Sequence, residues 1–186
     1  MWYPATITVA ATAEPVSDSE AKAQATIDFT DDNALVTRLI AAARAHVEKY
    51  CGVRFASQTV SVSCDRFADM CRFPEAPATS ITSIKYIDVD GAEQTLPTSV
   101  YELRADGFEP SVALKYGQAW PAMRPGSRIT VVAVVGYTAA PDDVKHAMLL
   151  LMAHWYASRE AVNIGTIVTT VPMGVDALLC NHRRNA

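Results

Sequence analysis

No stretch of this 186-residue chain stays apolar long enough to cross a membrane. The longest such run, Ala147 to Ala157, is broken by His154, and a spanning helix needs about 20 apolar residues. The opening Met1-Trp2-Tyr3-Pro4 has neither the basic start nor the apolar run of a secretory signal. The chain is therefore expected to be soluble, with no membrane partner. Positive charge is also sparse. The net charge is -4, and no run of Lys and Arg gathers as a nucleic-acid grip requires. DNA can pass this surface, but nothing in the sequence would hold it. The four cysteines are Cys51, Cys64, Cys71 and Cys180; Cys64 and Cys71 are seven apart, with no C-x-x-C pair or His near them, so the tight ligand cluster of a zinc site is lacking. A chain of this length needs no disulfide staples. Reduced, partly buried thiols in a protein assembled in the cytoplasm are expected.

Catalytic signatures are missing as well. There is no G-x-S-x-G, P-loop or dinucleotide fingerprint. The histidines are His46, His146, His154 and His182. His146 and His154 lie two helical turns apart and share a face, but they lack the i,i+4 spacing and the intervening Glu of a metalloprotease helix. Asp142 and Asp143 fall in the first turn of an expected helix, where the backbone dipole favours negative charge without any catalysis. A cysteine nucleophile needs a base and an orienting group, and no spacing places Cys51 or Cys71 beside a histidine. No catalytic, cofactor-binding or metal-binding residue is assigned, and the chain reads as a non-enzyme.

What is present is a core. Half of the residues are apolar and 19% are charged, a balance that folds rather than staying disordered. Ser17 with Glu20 three residues later is a capping box, predicting a helix over 17–25. Leu35, Val36, Leu39, Ile40, Ala43, Val47 and Tyr50 recur at helical spacing and predict a helix over 31–51, stopped by Gly52. Arg38, Arg44, Glu48 and Lys49 fall mostly off that stripe. Ile7-Thr8-Val9 suits a short strand. From 53 to 137 the period becomes two, as in Thr59 to Ser63 and Ile81 to Ile87, and Asp90-Gly91 and Asp106-Gly107 mark turns. Arg128 to Tyr137 is the longest strand, and its continuous Val run implies burial on both faces.

Pro141 at N1 opens a helix to about 160. It is apolar nearly all round, which a lone small domain can hardly cover. Met148, Met152, Trp155 and Tyr156 are therefore assigned to a contact with another subunit. Asn163 to Thr170 reads as a loop or edge strand, and Asp176 to Leu179 as one helical turn. From Arg159 onward three Arg stand against one Glu and one Asp, so the tail is mildly basic on an acidic body. The fold class is α+β: a helical body with an inserted antiparallel β-sheet or small barrel. Residues 1–160 form a single domain and 161–186 an extended C-terminal arm.

Taken in order, these features resemble the phage head–tail connector (adaptor) proteins, including related adaptors of gene transfer agents. The resemblance begins with Glu14-Pro15-Val16-Ser17, then Asp31-Asp32-Asn33-Ala34-Leu35 and Val47-Glu48-Lys49-Tyr50-Cys51-Gly52. It continues through Pro74 to Pro77, Ile81 to Tyr86, Asp90-Gly91, Tyr101, Trp120-Pro121 and Val134-Val135-Gly136-Tyr137. Its most specific part is Pro141, Val144-Lys145-His146-Ala147 and His154 to Glu160, then Val171-Pro172-Met173-Gly174-Val175, Leu178-Leu179 and Arg183. Departures are Cys51 in place of a small polar residue, Ala157-Ser158 in place of Glu-Asn, and His182 where an aromatic commonly precedes the Arg.

The resemblance implies a structural virion protein in the neck of a phage or phage-like particle. Such subunits form a homo-oligomeric ring, usually of twelve, beneath the portal protein. The ring extends the DNA channel and docks the next neck or tail protein, a stopper or tail terminator. DNA passes through the lumen without sequence-specific binding, and no cofactor or metal is implied. The arm is expected to bind the portal through Val171, Pro172, Gly174, Val175, Leu178, Leu179, Arg183 and Arg184. Of these, Leu178 and Leu179 would be the anchors, with the two Arg at the rim. Another ring-forming neck or tail-completion protein, or a small enzyme using the thiols or histidines, remains the alternative. Truncation after Glu160 is expected to leave a folded body.

Overall fold

A computed structural model describes residues 1–158 and 173–184. The first helix, α1 (Asp18–Ala25), starts as its capping box dictates. Ser17 Oγ accepts from the Glu20 N–H at 3.2 Å, and the Glu20 carboxylate accepts from the Ser17 N–H at 2.8 Å. Two backbone donors that a helix start leaves open are thus satisfied reciprocally. Helix α2 (Asn33–Cys51) buries Val36, Ile40, Ala43 and Val47 on one stripe and ends on Gly52 at φ 66°. A left-handed residue there costs glycine little. Helix α3 (Asp142–Ala157) has Pro141 as its N-cap, one position earlier than N1. Helix α4 (Met173–Leu179) runs into a 3-10 turn at Cys180–His182.

The strands are β1 (Thr6–Val9), β2 (Gln58–Cys64), β3 (Ala78–Ile87), β4 (Glu93–Thr95), β5 (Tyr101–Arg104), β6 (Ser111–Leu114) and β7 (Ile129–Val135). An antiparallel sheet of five takes the order β1-β2-β7-β3-β4, and β5-β6 is a separate pair. Of the sequence alternatives, the open sheet is the one found. The fold is α+β, with helices and an antiparallel sheet in one chain.

Three expectations need correction. The longest strand is β3, with 10 residues, and not β7, with 7. The Val run of β7 implied burial on both faces. Instead Ile129, Val131, Ala133 and Val135 are buried while Thr130, Val132 and Val134 are half-buried. β7 is the central strand, but one of its faces is covered less completely than the other, as in an antiparallel sheet with a single main core. Glu48, read as lying off the apolar stripe of α2, is buried at 5% exposure.

Contacts group the residues into two units. The sheet unit comprises 1–12 and 56–138. Its core joins Val60, Val62, Ile84, Ile129 and Val131 to Phe67, Met70, Phe73, Leu96 and Val112. The helical unit comprises 13–55 and the described residues from 139. Composition suggested one body over 1–160 with a separate arm. The contacts instead place α4 within the helical unit, against α3.

Candidate functional site

The helical unit is closed by its own C-terminal segment. In α4, Val175 and Leu179 stand one turn apart and are 0% and 1% exposed, while Gly174, Asp176 and Ala177 face outward. The residues after the helix fasten it. His182 Nε2 lies 2.6 Å from Asp143 Oδ2 in the first turn of α3, and the imidazole meets Phe55 edge-on with centroids 6.2 Å apart. The Arg183 guanidinium sits over the Tyr50 ring, 4.9 Å from its centroid, a cation–π geometry. The Arg184 N–H donates to the Cys51 carbonyl at 2.7 Å, where α2 ends.

Burial works against a charge on Asp143, but hydrogen bonds from His182 and from the Val144 N–H outweigh it and hold the carboxyl below its usual range. The stability such a group contributes is complete above its unfolded pKa, about 3.9. It is lost as pH falls through the lower folded value. Hydrogen-exchange protection of 175–182 is thus expected to hold down to about pH 4 and to fall below it. Asp143→Asn should lower that protection at neutral pH as well. Equal protection in the variant would show that the pair does not hold the segment.

A second polar cluster lies in the same unit. Glu48 accepts from the Phe55 N–H at 2.9 Å and pairs with Arg44 at 3.3 Å and Arg54 at 3.6 Å. Arg44 also donates to both Glu14 carboxylate oxygens, at 2.6 and 3.2 Å. Burial opposes the Arg44 charge, and the Glu14 and Glu48 carboxylates overcome it, raising its pKa. The cluster ties the stretch before α1 and the exit of α2 to the middle of that helix.

The residues assigned from sequence fall into three groups. Val171 and Pro172 lie outside the described residues. Val175 and Leu179 are buried within this chain, as are Met148 and Met152 at 1% exposure, so in this conformation none of the four presents a side chain to a neighbour. Gly174 and Arg183 are exposed, and Leu178, Arg184, Trp155 and Tyr156 are half-buried. Trp155 packs edge-on against His46 at 5.9 Å, and Tyr156 donates to Asp32 Oδ2 at 2.6 Å. Sequence reasoning missed the His182–Asp143 pair, which spans 39 positions and leaves no spacing signal. Because Leu179 packs inside the unit, removing everything after Glu160 strips a buried side chain. That variant is expected to lose stability, by about 2–5 kcal/mol for the leucine alone.

The four cysteines are free. Burial pushes the Cys51 thiol up to about 11 and the Cys64 thiol to about 12, so neither supplies a thiolate near neutral pH. Among the described residues no group of His, Cys, Asp and Glu is arranged to hold a metal, and no helix is long and apolar enough to cross a membrane.

An α+β protein whose helical unit is interrupted by a sheet unit and closed by its own C-terminal segment is the class that fold and site define. Residues 15–184 match the model of the head completion protein family, and the chain belongs to that family. Solved structures share the fold. A chain from the neck of an empty gene transfer agent particle, computed with C6 symmetry, superposes with a TM-score of 0.81 at 20% identity, over 99% of this chain and 97% of that one. One from the virion of a native gene transfer agent particle gives 0.80 at 23% identity, over 98% and 96%. One from the neck of a native particle, computed with C12 symmetry, gives 0.69 at 22% identity, over 97% of each. No curated protein matches the sequence.

Proposed function

We propose that this head completion protein is an adaptor subunit that forms a ring, of twelve copies, under the portal of a phage-like particle. The ring extends the DNA channel and docks the next neck or tail protein. It works by binding, without turnover. The observation that carries this reading is the similarity along nearly the whole of both chains to proteins from particle necks solved with six- and twelve-fold symmetry. A closed ring needs a heterologous contact, in which two different surfaces of one subunit meet. The half-buried Trp155 and Tyr156 of α3 supply one such surface, and the C-terminal segment around Leu178 and Arg183 faces the portal. The site of action is the particle neck, after assembly in the bacterial cytoplasm.

Light scattering and electron microscopy, with and without purified portal rings, test this reading. A ring seated on the portal is the expected result, including for a protein that is monomeric alone. A protein that stays monomeric and never engages the portal sinks it.

The conduit role carries a second expectation. With a net charge of -4, the protein should not retain duplex DNA in a mobility-shift assay at about 0.15 M salt. Retention that weakens steeply with added salt, the mark of released phosphate counterions, would contradict a channel that lets DNA slide.

A further inference from the structure

We infer that the sheet units of neighbouring copies pair strand to strand, β1 of one copy adding to the free edge of β6 in the next. This rests on the ring reading above, which asks one subunit for two different surfaces that fit each other. Four strands of the sheet unit stand at an edge: β1 and β4 in one sheet, β5 and β6 in the other. An edge strand presents unpaired N–H and C=O groups, and natural proteins guard such edges with charge. β4 carries Glu93, paired with Lys85 at 2.9 Å, and β5 carries Glu102 and Arg104, paired at 3.1 Å. β1, Thr6-Ile7-Thr8-Val9, and β6, Ser111-Val112-Ala113-Leu114, carry no charged side chain.

The two uncharged edges differ as a donor differs from its receptor. All four residues of β1 are exposed, Ile7 at 48% and Val9 at 55%. A register shift between Ile7 and Val9 interrupts the pairing with β2 but leaves both side chains open. β6 instead borders a groove of about 270 Å³, lined by all four of its residues, by the stacked rings of Phe67 and Trp120, and by Cys71. That volume falls below the roughly 300–1,000 Å³ of small-molecule pockets. It suits a few side chains of an added strand, whose main-chain bonds give affinity while pockets select its side chains. β5 and β6 also form a pair of only two strands, a number marginal by itself and steadied by a third. The two edges match in length, at 4 residues each. With no charge on either strand, their contact leaves no buried ion without a partner. Pairing β1 with a second β1 would use one surface twice and close a dimer, not a ring.

The test assembles the full chain on purified portal rings. Ile7→Lys puts a charge on a side chain already open to solvent, so the free variant should melt with the unaltered protein. Its yield of rings should fall by at least about tenfold. Ile7→Cys and Val9→Cys, made singly, place a thiol where the pairing brings it beside the exposed Cys71 of the next copy. Mild oxidation of the assembled rings should link copies through at least one of these thiols, and adding Cys71→Ser to that variant should abolish the link. Full ring yield from Ile7→Lys, no link from either thiol, or a link that survives Cys71→Ser overturns the pairing and leaves the ring reading standing. Failure of the unaltered protein to assemble on the portal sinks the ring reading, and the pairing with it.

Discussion

Gly136→Ala is expected to destabilise the sheet unit by about 3 kcal/mol, combining a left-handed backbone penalty with overpacking. Gly136 follows the central strand β7 and holds φ 99°. A Cβ built there overlaps the Ala56 carbonyl oxygen and comes within 2.7 Å of its carbon. Those are backbone atoms, so no side chain can swing aside. The Gly136 N–H also donates to Pro77 at 2.8 Å, which fixes the turn from a third segment. Relief would require moving Ala56, two residues before β2, or the end of β7, and those strands pair along their full length from Gln58–Val135 to Cys64–Ile129. A chain of this size loses about 2–4 °C of melting temperature per kcal/mol, so a drop on the order of 10 °C is expected in a thermal melt followed by circular dichroism. A melt within about 2 °C of the unaltered protein would mean that the contact relaxes freely.

Glu48→Ala should cost a similar amount in the helical unit, about 3 kcal/mol, the lower end for breaking a buried charge pair. The carboxylate is 5% exposed, and its partners include the Arg44 and Arg54 guanidinium groups and the Phe55 N–H. Alanine leaves two cations facing an emptied site and a buried amide without its acceptor. The bidentate hold of Glu14 on Arg44 persists, which keeps the loss from reaching the upper end of that range. Glu48→Gln keeps an oxygen for the amide and gives up only the charge, so it should fall between the two. Denaturant melts of the three proteins order them. A Gln variant as unstable as the Ala variant would assign the whole effect to charge and none to the amide.

Local chemistry made much of the fold legible. The Ser17 and Glu20 spacing gave the start of α1, and the Val36 to Val47 stripe gave the buried face of α2. Asp90-Gly91 gave the β3–β4 turn, where the Asp88 carboxylate accepts from the Asp90 and Ala92 amides. Each of these depends on residues a few positions apart. What stayed hidden depends on partners far along the chain. β1 pairs with β2 across some fifty residues, and no period in Thr6–Val9 announces that. The same holds for Glu48, whose charge argued for an outward position until its cationic partners were located. Within the candidate site, Leu178 and Leu179 are equally apolar in sequence, and only the phase of α4 against α3 buries one more than the other. The order of motifs pointed to adaptor proteins, and the head completion family match over 15–184 agrees with it.

The most direct measurement is the mass of the complex formed when the purified chain is added to portal rings, read by native mass spectrometry and by averaged electron-microscopy images. The proposed role predicts one closed ring of about a dozen copies per portal, capping a single face and continuing its channel. A portal that gains no mass, or that binds scattered copies without symmetry, would contradict it.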